Sequence, residues 1–265
     1  MSNDKPARRQ ARTARFYQAG AITPGEQLTL DKQSSHHLNT VLRARVNDNV
    51  ILFNGDGADY LATIVEAAQR GAAKYTVLQI EQRLPGVPDS PMHITLVQCV
   101  SRAERMDISL RQSVELGVNR IQPVYSRYSV KAGDEKRTDK KQQHWQSIVT
   151  SACEQSGRST LPELMPAMSY ERWLTSINQQ YNLYILAPSA RHTLSTLIAT
   201  AADSKLPRAA SLIIGPESGL DEDEIDLAEK AGAIPVQLGQ RILRTETAGP
   251  AAIAILQALS GDLQA

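Results

Sequence analysis

Two polar, glycine-bearing loops near the C-terminus hold the side chains best suited to chemistry. One is Gly215-Pro216-Glu217-Ser218-Gly219-Leu220, directly after the apolar run Leu212-Ile213-Ile214. The other is Gly239-Gln240-Arg241-Ile242-Leu243-Arg244-Thr245-Glu246-Thr247, directly after Ile234–Leu238. Loops that leave the carboxyl ends of strands in an α/β sheet are the usual place for small ligands. Gly215 and Gly219 let the backbone come close to such a ligand. Arg241 and Arg244 flank Ile242-Leu243, so backbone and leucine could hold an adenine-type ring while the arginines face a polyanion. A solvated basic loop is the plainer alternative. Glu217 and Glu246 could accept a proton, although a carboxylate beside arginines is more often an ion-pair partner.

Other chemistries are poorly served. Asp221, Glu222, Asp223 and Glu224 crowd the start of a helix, where the dipole favours them and where they would repel phosphate. Neither G-x-x-x-x-G-K-[ST] nor G-x-G-x-x-G occurs here. Ser218 lies one place too late for a G-x-S-x-G elbow, which disfavours a hydrolase. His36 and His37 lack a third ligand at metal-site spacing, so no metal is expected.

The loops need a parallel sheet to hold them, and the chain from Met92 onward alternates strand and helix. Ile94–Val100 is a continuous apolar strand of the kind covered on both faces. Ser101 with Glu104 makes a capping box for a helix that presents Met106, Leu110 and Val114 and stops at Gly117. Ile121–Tyr125 follows, and a crossover of this length implies a parallel pair. Tyr125–Asp139 reads as a basic loop. Trp145, Ile148, Val149, Ala152 and Cys153 then mark an amphipathic helix ending in the polar cluster Glu154-Gln155-Ser156-Gly157-Arg158. Leu183–Leu186 is a further strand, trailed by Ala187-Pro188 and a helix around Leu194–Ala201. Asp221 and Glu224 form a carboxylate capping box. Pro250 lacks an N–H and should fall in the first three positions of the last helix, which puts the N-cap at Thr247.

Residues 16–83 read instead as short strands, Gln27–Leu30, Asn49–Phe53, Ala58–Val65 and Lys74–Ile80, with Asn54-Gly55-Asp56-Gly57 as a hairpin turn. A helix capped by Ser34 or Ser35 should bury Leu38, Val41 and Leu42. Together they make a small β-barrel-like domain, joined by the proline-rich linker Leu84–Pro91 to the α/β domain of residues 92–265. Residues 1–15 are basic and too poor in apolar side chains to fold alone, so a flexible arm is expected. Arg43 and Arg45 could hold RNA phosphates, with surface solubility an equal alternative.

The 265 residues are 42% hydrophobic with a net charge of +1, so any nucleic-acid surface must be local. Cys99 and Cys153 sit in apolar periodic segments and read as buried, reduced thiols. No apolar run is long enough to span a membrane and the N-terminus lacks a signal-peptide core. A cytoplasmic, soluble protein is the expectation.

Four motifs in order carry a specific resemblance: Glu115-Leu116-Gly117-Val118, Ser151-Ala152-Cys153-Glu154-Gln155-Ser156-Gly157-Arg158, Ile214-Gly215-Pro216-Glu217-Ser218-Gly219-Leu220 and Leu243-Arg244-Thr245-Glu246-Thr247-Ala248. Together they resemble the RsmE family of bacterial ribosomal RNA methyltransferases, of the SPOUT superfamily. The β-rich N-terminal part resembles that family's PUA-like RNA-binding domain. The resemblance implies S-adenosylmethionine-dependent methylation of N3 of one uridine in 16S ribosomal RNA, within the small ribosomal subunit. It also implies a homodimer and a trefoil knot in the C-terminal parallel-sheet domain.

Carried over residue by residue, Leu186 and Ala187 would supply the first cofactor loop, and Gly215, Pro216, Glu217 and Gly219 the second. Leu238, Gly239, Ile242, Leu243 and Thr245 would surround the cofactor's adenine and methionine parts. Arg244, with help from Glu246 or Glu217, would stabilise the uridine anion or accept its proton. Arg158 would sit near RNA or the target base, and Arg43, Arg45, Arg127 and Arg241 would meet RNA. Ser218 stands where the family usually has a second glycine, and Gly249-Pro250 is an unusual start for the last helix. A ribose 2′-O-methyltransferase of the same superfamily and a non-catalytic RNA-binding assembly protein are the alternatives.

Overall fold

Strict alternation along Ala58–Glu66 turns Ala58, Tyr60, Ala62 and Ile64 inward, which is how a sheet with one covered face is written in sequence. The computed structural model describes residues 13–67, 75–130, 135–177, 182–200 and 208–264. The chain divides into two units, Met1–Pro88 with Gly157–Thr160, and Asp89–Ser156 with Leu161–Ala265.

In the first unit, β1 (Ala14–Tyr17), β2 (Gln27–Thr29), β3 (Asn49–Phe53), β4 (Ala58–Glu66) and β5 (Val77–Pro85) form a sheet ordered β1-β3-β4-β5-β2. β1 runs parallel to β3 and the other pairs are antiparallel. Two register shifts in the β4–β5 pair curl the sheet around Phe16, Leu38, Leu52, Leu78 and Ile80.

Several expected boundaries move. Ala14 and Arg15, expected in the flexible arm, belong to β1, where Arg15 pairs with Asp59 through its two terminal nitrogens, Nη1 and Nη2. Residues 1–12 of that arm lie outside the described residues. Leu84 and Pro85, expected in the linker, close the β4–β5 ladder opposite Asp59 and Ala58, since a proline at a ladder's end leaves few partners unmet. Asp31, not Ser34 or Ser35, caps α1 (Lys32–His36), accepting the Gln33 and Ser34 N–H groups at 2.7 and 2.9 Å. A π-helical turn, His37–Val41, follows. Its wider winding spoils the expected apolar face: Leu38 is buried, but Val41 and Leu42 are 62% and 47% exposed. Gly157–Thr160, expected in the second domain, joins the first unit, where the Ser159 hydroxyl donates to Asp59 at 2.6 Å.

The second unit contains β6 (His93–Cys99), α2 (Ala103–Glu115), β7 (Arg120–Tyr125), α3 (Glu135–Ser156), β8 (Glu163–Leu164), β9 (Met168–Ser169) and α4 (Tyr170–Ser176). It continues with β10 (Asn182–Leu186), β11 (His192–Thr193), α5 (Leu194–Thr200), β12 (Ala209–Ile214), α6 (Glu222–Lys230), β13 (Ile234–Gln237) and α7 (Thr245–Ser260). The strands pair in parallel, ordered β11-β13-β10-β12-β6-β7-β8, with β9 also on β7. Val97, Cys99, Val124, Ile185 and Ile213 pack with Tyr170 and Trp173 of α4 and Ala228 of α6. α2 packs against α3 and α7 on the other face, to which the alternate residues of β6 turn. Burial drives the Cys99 thiol up to about 12, so it stays protonated and inert; Cys153 is buried as well. No helix among the described residues is long and apolar enough to cross a membrane.

Three helix starts differ from the reading of the sequence. Ser101 donates its hydroxyl to the Cys99 carbonyl at 3.1 Å instead of capping α2, and Arg102 takes the N-cap position. α3 begins at Glu135, inside the stretch expected to be a loop. α7 begins at Thr245 with Arg244 as N-cap, and the Ala248 N–H already reaches the Arg244 carbonyl at 2.8 Å. Pro250 therefore lies inside the helix, where it lacks the N–H that would have reached Glu246 and its ring crowds the Glu246 carbonyl. A Cβ on Gly249 would stand 3.3 Å from Leu96 and 3.6 Å from Ile214, so this glycine lets α7 lie close on β6 and β12.

Candidate active site

The carboxyl ends of three adjacent strands, β13, β10 and β12, open into one cavity of ≈ 380 Å³, within the range of small-ligand pockets. Leu186 ends β10 and Ala187-Pro188 follow it, Gly215–Leu220 follow β12, and Leu238 to Arg244 connect β13 to Thr245, the first residue of α7. Leu186, Ala187, Gly215, Pro216, Glu217, Gly219, Leu238, Gly239, Ile242, Leu243 and Thr245 all line it, together with Arg241 and Arg244. Ile214 and Val236 add apolar wall that the sequence reading left unassigned.

The turn after β12 is tight. The Gly219 N–H closes it onto the Pro216 carbonyl at 2.9 Å. A Cβ on Gly215 would come within 3.1 Å of the Leu220 nitrogen, and Gly219 holds φ +78°, which side chains resist. Ser218 is not among the residues with positive φ. Serine therefore fits where the family usually has glycine, because Gly219 alone carries the left-handed conformation.

Charges around the cavity divide into spent and available. The Glu217 carboxylate accepts the Arg102 backbone N–H at 2.9 Å and lies 3.8 Å from Arg105. It thus ties the turn to the start of α2, and Arg105, which lines the cavity, was missed because nothing in its spacing marked it. Arg127, expected to meet RNA, is instead paired with Asp221 at 2.5 Å and Asp223 at 3.4 Å, while its backbone N–H donates to Glu224 at 2.7 Å. The capping box of α6, Asp221 with Glu224, is formed as expected and anchors this contact. Arg241 and Arg244 have no carboxylate at ion-pair distance among the described residues. Glu246 does not line the cavity; one of its carboxylate oxygens is buried with no hydrogen bond among the described residues.

The expected RNA contacts of the first unit lie elsewhere on the chain. Arg43 and Arg45 are exposed, directly after the π-helical turn, and Arg43 holds φ +56°, a conformation rare outside glycine. Arg158 belongs to the first unit, where its carbonyl accepts from Arg15 at 3.2 Å.

Apolar walls and glycine-rich turns suit a ligand with a flat apolar ring, such as an adenosyl group, and arginines without a carboxylate partner among the described residues suit a polyanion. Comparison with known proteins agrees. An RNA methyltransferase domain family matches residues 88–257, and an RNA methyltransferase PUA domain family matches residues 30–77. The ribosomal RNA small subunit methyltransferase E of Buchnera aphidicola (strain Sg) is 32% identical over 252 residues, covering 95% of this chain and 98% of the relative. The crystal structure of a ribosomal RNA small subunit methyltransferase E from Neisseria gonorrhoeae bound to S-adenosyl methionine superposes with a TM-score of 0.85, at 36% identity, over 96% of this chain and 100% of the other. A putative methyltransferase from Legionella pneumophila, solved with bound S-adenosylmethionine, gives 0.86 at 34% identity over 95% and 100%.

Proposed function

Because the chain belongs to the RsmE family of small-subunit ribosomal RNA methyltransferases, we propose that it methylates N3 of a uridine in 16S ribosomal RNA with S-adenosylmethionine as donor. The observation that carries this is the three-loop cavity lined by Arg241 and Arg244, neither with a carboxylate at ion-pair distance among the described residues. The proposal includes a cytoplasmic homodimer, a trefoil knot in the second unit and the assembled small subunit as substrate.

When bound, S-adenosylmethionine supplies an electrophilic methyl group on a sulfonium. Leu186, Ile242 and Leu243, with the backbones of the Gly215 and Gly239 loops, would hold its adenosyl part. Uridine N3 carries a proton that must pass to solvent before the nitrogen can attack. Arg244 would face the negative charge that develops on the pyrimidine, and fixed positive charge in a dry site is effective at this. Arg241, with Arg43 and Arg45 of the first unit, would meet RNA phosphates, where guanidinium geometry suits paired oxygens.

Glu217 is assigned to holding the turn and not to the base, because its Oε1 both accepts the Arg102 N–H and faces Arg105. Glu217→Gln keeps an acceptor for the Arg102 N–H and is expected to retain most of the methyl-transfer rate. A drop of about 10²–10⁴-fold, the worth of a general base, would return Glu217 to the chemistry.

The test of function supplies methyl-labelled cofactor with naked 16S RNA and with unmodified small subunits, then identifies the labelled nucleoside. Label in 3-methyluridine is the expected outcome. Label on a ribose 2′-oxygen would favour the sister activity. No label, together with no binding of S-adenosylmethionine by calorimetry, would favour a non-catalytic RNA-binding protein.

A further inference from the structure

Next to Thr245, a wall of the cavity, stands a fully buried amide whose hydrogen bonds run to β6, to α2 and to the start of α7. Gln98, in β6, is 0% exposed. Its Oε1 accepts the Ser109 hydroxyl of α2 at 2.8 Å. Its Nε2 donates to the Cys99 carbonyl at 3.1 Å and to Thr245 Oγ1 at 3.0 Å. Thr245 opens α7, and its hydroxyl donates to the Gly215 carbonyl at 2.7 Å.

The direction of this chain is fixed by the groups themselves. An amide N–H can only donate and a carbonyl can only accept, so the one Thr245 proton must go to Gly215. Thr245, at the start of α7, and Gly215, in the turn after β12, are both walls of the cavity and lie 30 residues apart in sequence. An apolar residue at position 98 could fill the same space, but it could not aim a hydroxyl. Burying an amide is costly unless its partners are present, and here both amide hydrogens and the oxygen are used.

We propose that Gln98 is a positioning residue for the cofactor. By aiming the Thr245 hydroxyl at the Gly215 carbonyl, it holds the Gly215–Gly219 turn in register with the start of α7 and keeps the cavity shaped for S-adenosylmethionine. It acts through Thr245 and touches no substrate. The inference rests on the cavity being the cofactor site.

Calorimetric titration of S-adenosylmethionine into the full-length protein tests this, with thermal unfolding followed in parallel. Gln98→Met is expected to weaken binding about tenfold, roughly the worth of one well-made hydrogen bond in a buried site, with the KM for RNA staying near its original value. Thr245→Val should weaken it comparably, and the double variant should be no weaker than the worse single one, because both break the same chain. Thr245→Ser, which keeps the hydroxyl, should bind about tenfold more tightly than Thr245→Val. Gln98→Met with undiminished affinity, or with a lowered melting temperature and nothing else, overturns the proposal. Should Gln98→Met fail to fold, equal affinities for the serine and valine variants overturn it instead. Wild-type protein that does not bind S-adenosylmethionine would sink the reading of the cavity and this inference with it, which separates that failure from the others.

Discussion

Arg244→Ala is expected to slow methyl transfer by about 10²–10³-fold, the usual loss when one preorganised donor to a developing anion is removed, with cofactor affinity staying close to the original. The expectation follows from contrast among the arginines of the second unit. Arg127 is held by Asp221 and Asp223, and Arg105 leans on Glu217. Arg244 lines the cavity and has no carboxylate at ion-pair distance among the described residues, so its charge is free to act on a substrate. It is also the N-cap of α7, with backbone fixed by the bond from Ala248, so the side chain extends from a rigid base. Single-turnover kinetics at saturating cofactor measure the step directly. An alanine variant at full rate would remove Arg244 from the chemistry, whatever it did to RNA affinity.

Gly219→Val should cost cofactor affinity on the order of 10–100-fold, because a left-handed residue other than glycine stores about 1–3 kcal/mol and β-branching places valine at the harsher end. Gly219 holds φ +78°, while a Cβ there would meet no atom within 4 Å. Backbone strain, not a clash, is therefore the expected cause. Ser218→Gly serves as the comparison, since Ser218 takes no positive φ and its loss relaxes nothing. Equilibrium binding of both variants separates the two positions. If the valine variant bound as tightly as the parent, the turn would not be the rigid wall described above.

Much of the site was legible because it is written in local grammar. Gly215 and Gly219 beside apolar runs marked a turn at a strand end, and Asp221 with Glu224 marked the next helix; both are formed. What escaped depends on partners distant in sequence. Glu217 lies on a cofactor-type loop, but its carboxylate is claimed by Arg102, which no spacing rule connects to it. Arg127, expected to meet phosphate, pairs with Asp221 at the start of α6, a contact that no local spacing announces. Pro250 points to a helix start at Thr247, but Thr245, tied at its hydroxyl to both Gln98 and Gly215, opens α7 two residues earlier. In the first unit, Val41 and Leu42 follow the period of an α-helix, and the π-helical turn breaks that period without any sequence sign.

The return of Gly157–Thr160 to the first unit bears on how such a protein can be recombined. The chain passes between its units at Pro88, again after Ser156, and again after Thr160. A chimera with a relative, joined by one splice after Pro88, would pair an Asp59 from one parent with a Ser159 from the other. Exchange of the first unit intact therefore requires two grafts, the N-terminal block and a four-residue insert lying between α3 and β8. Transfer of the first unit by a single crossover after Pro88 is disfavoured for the same reason.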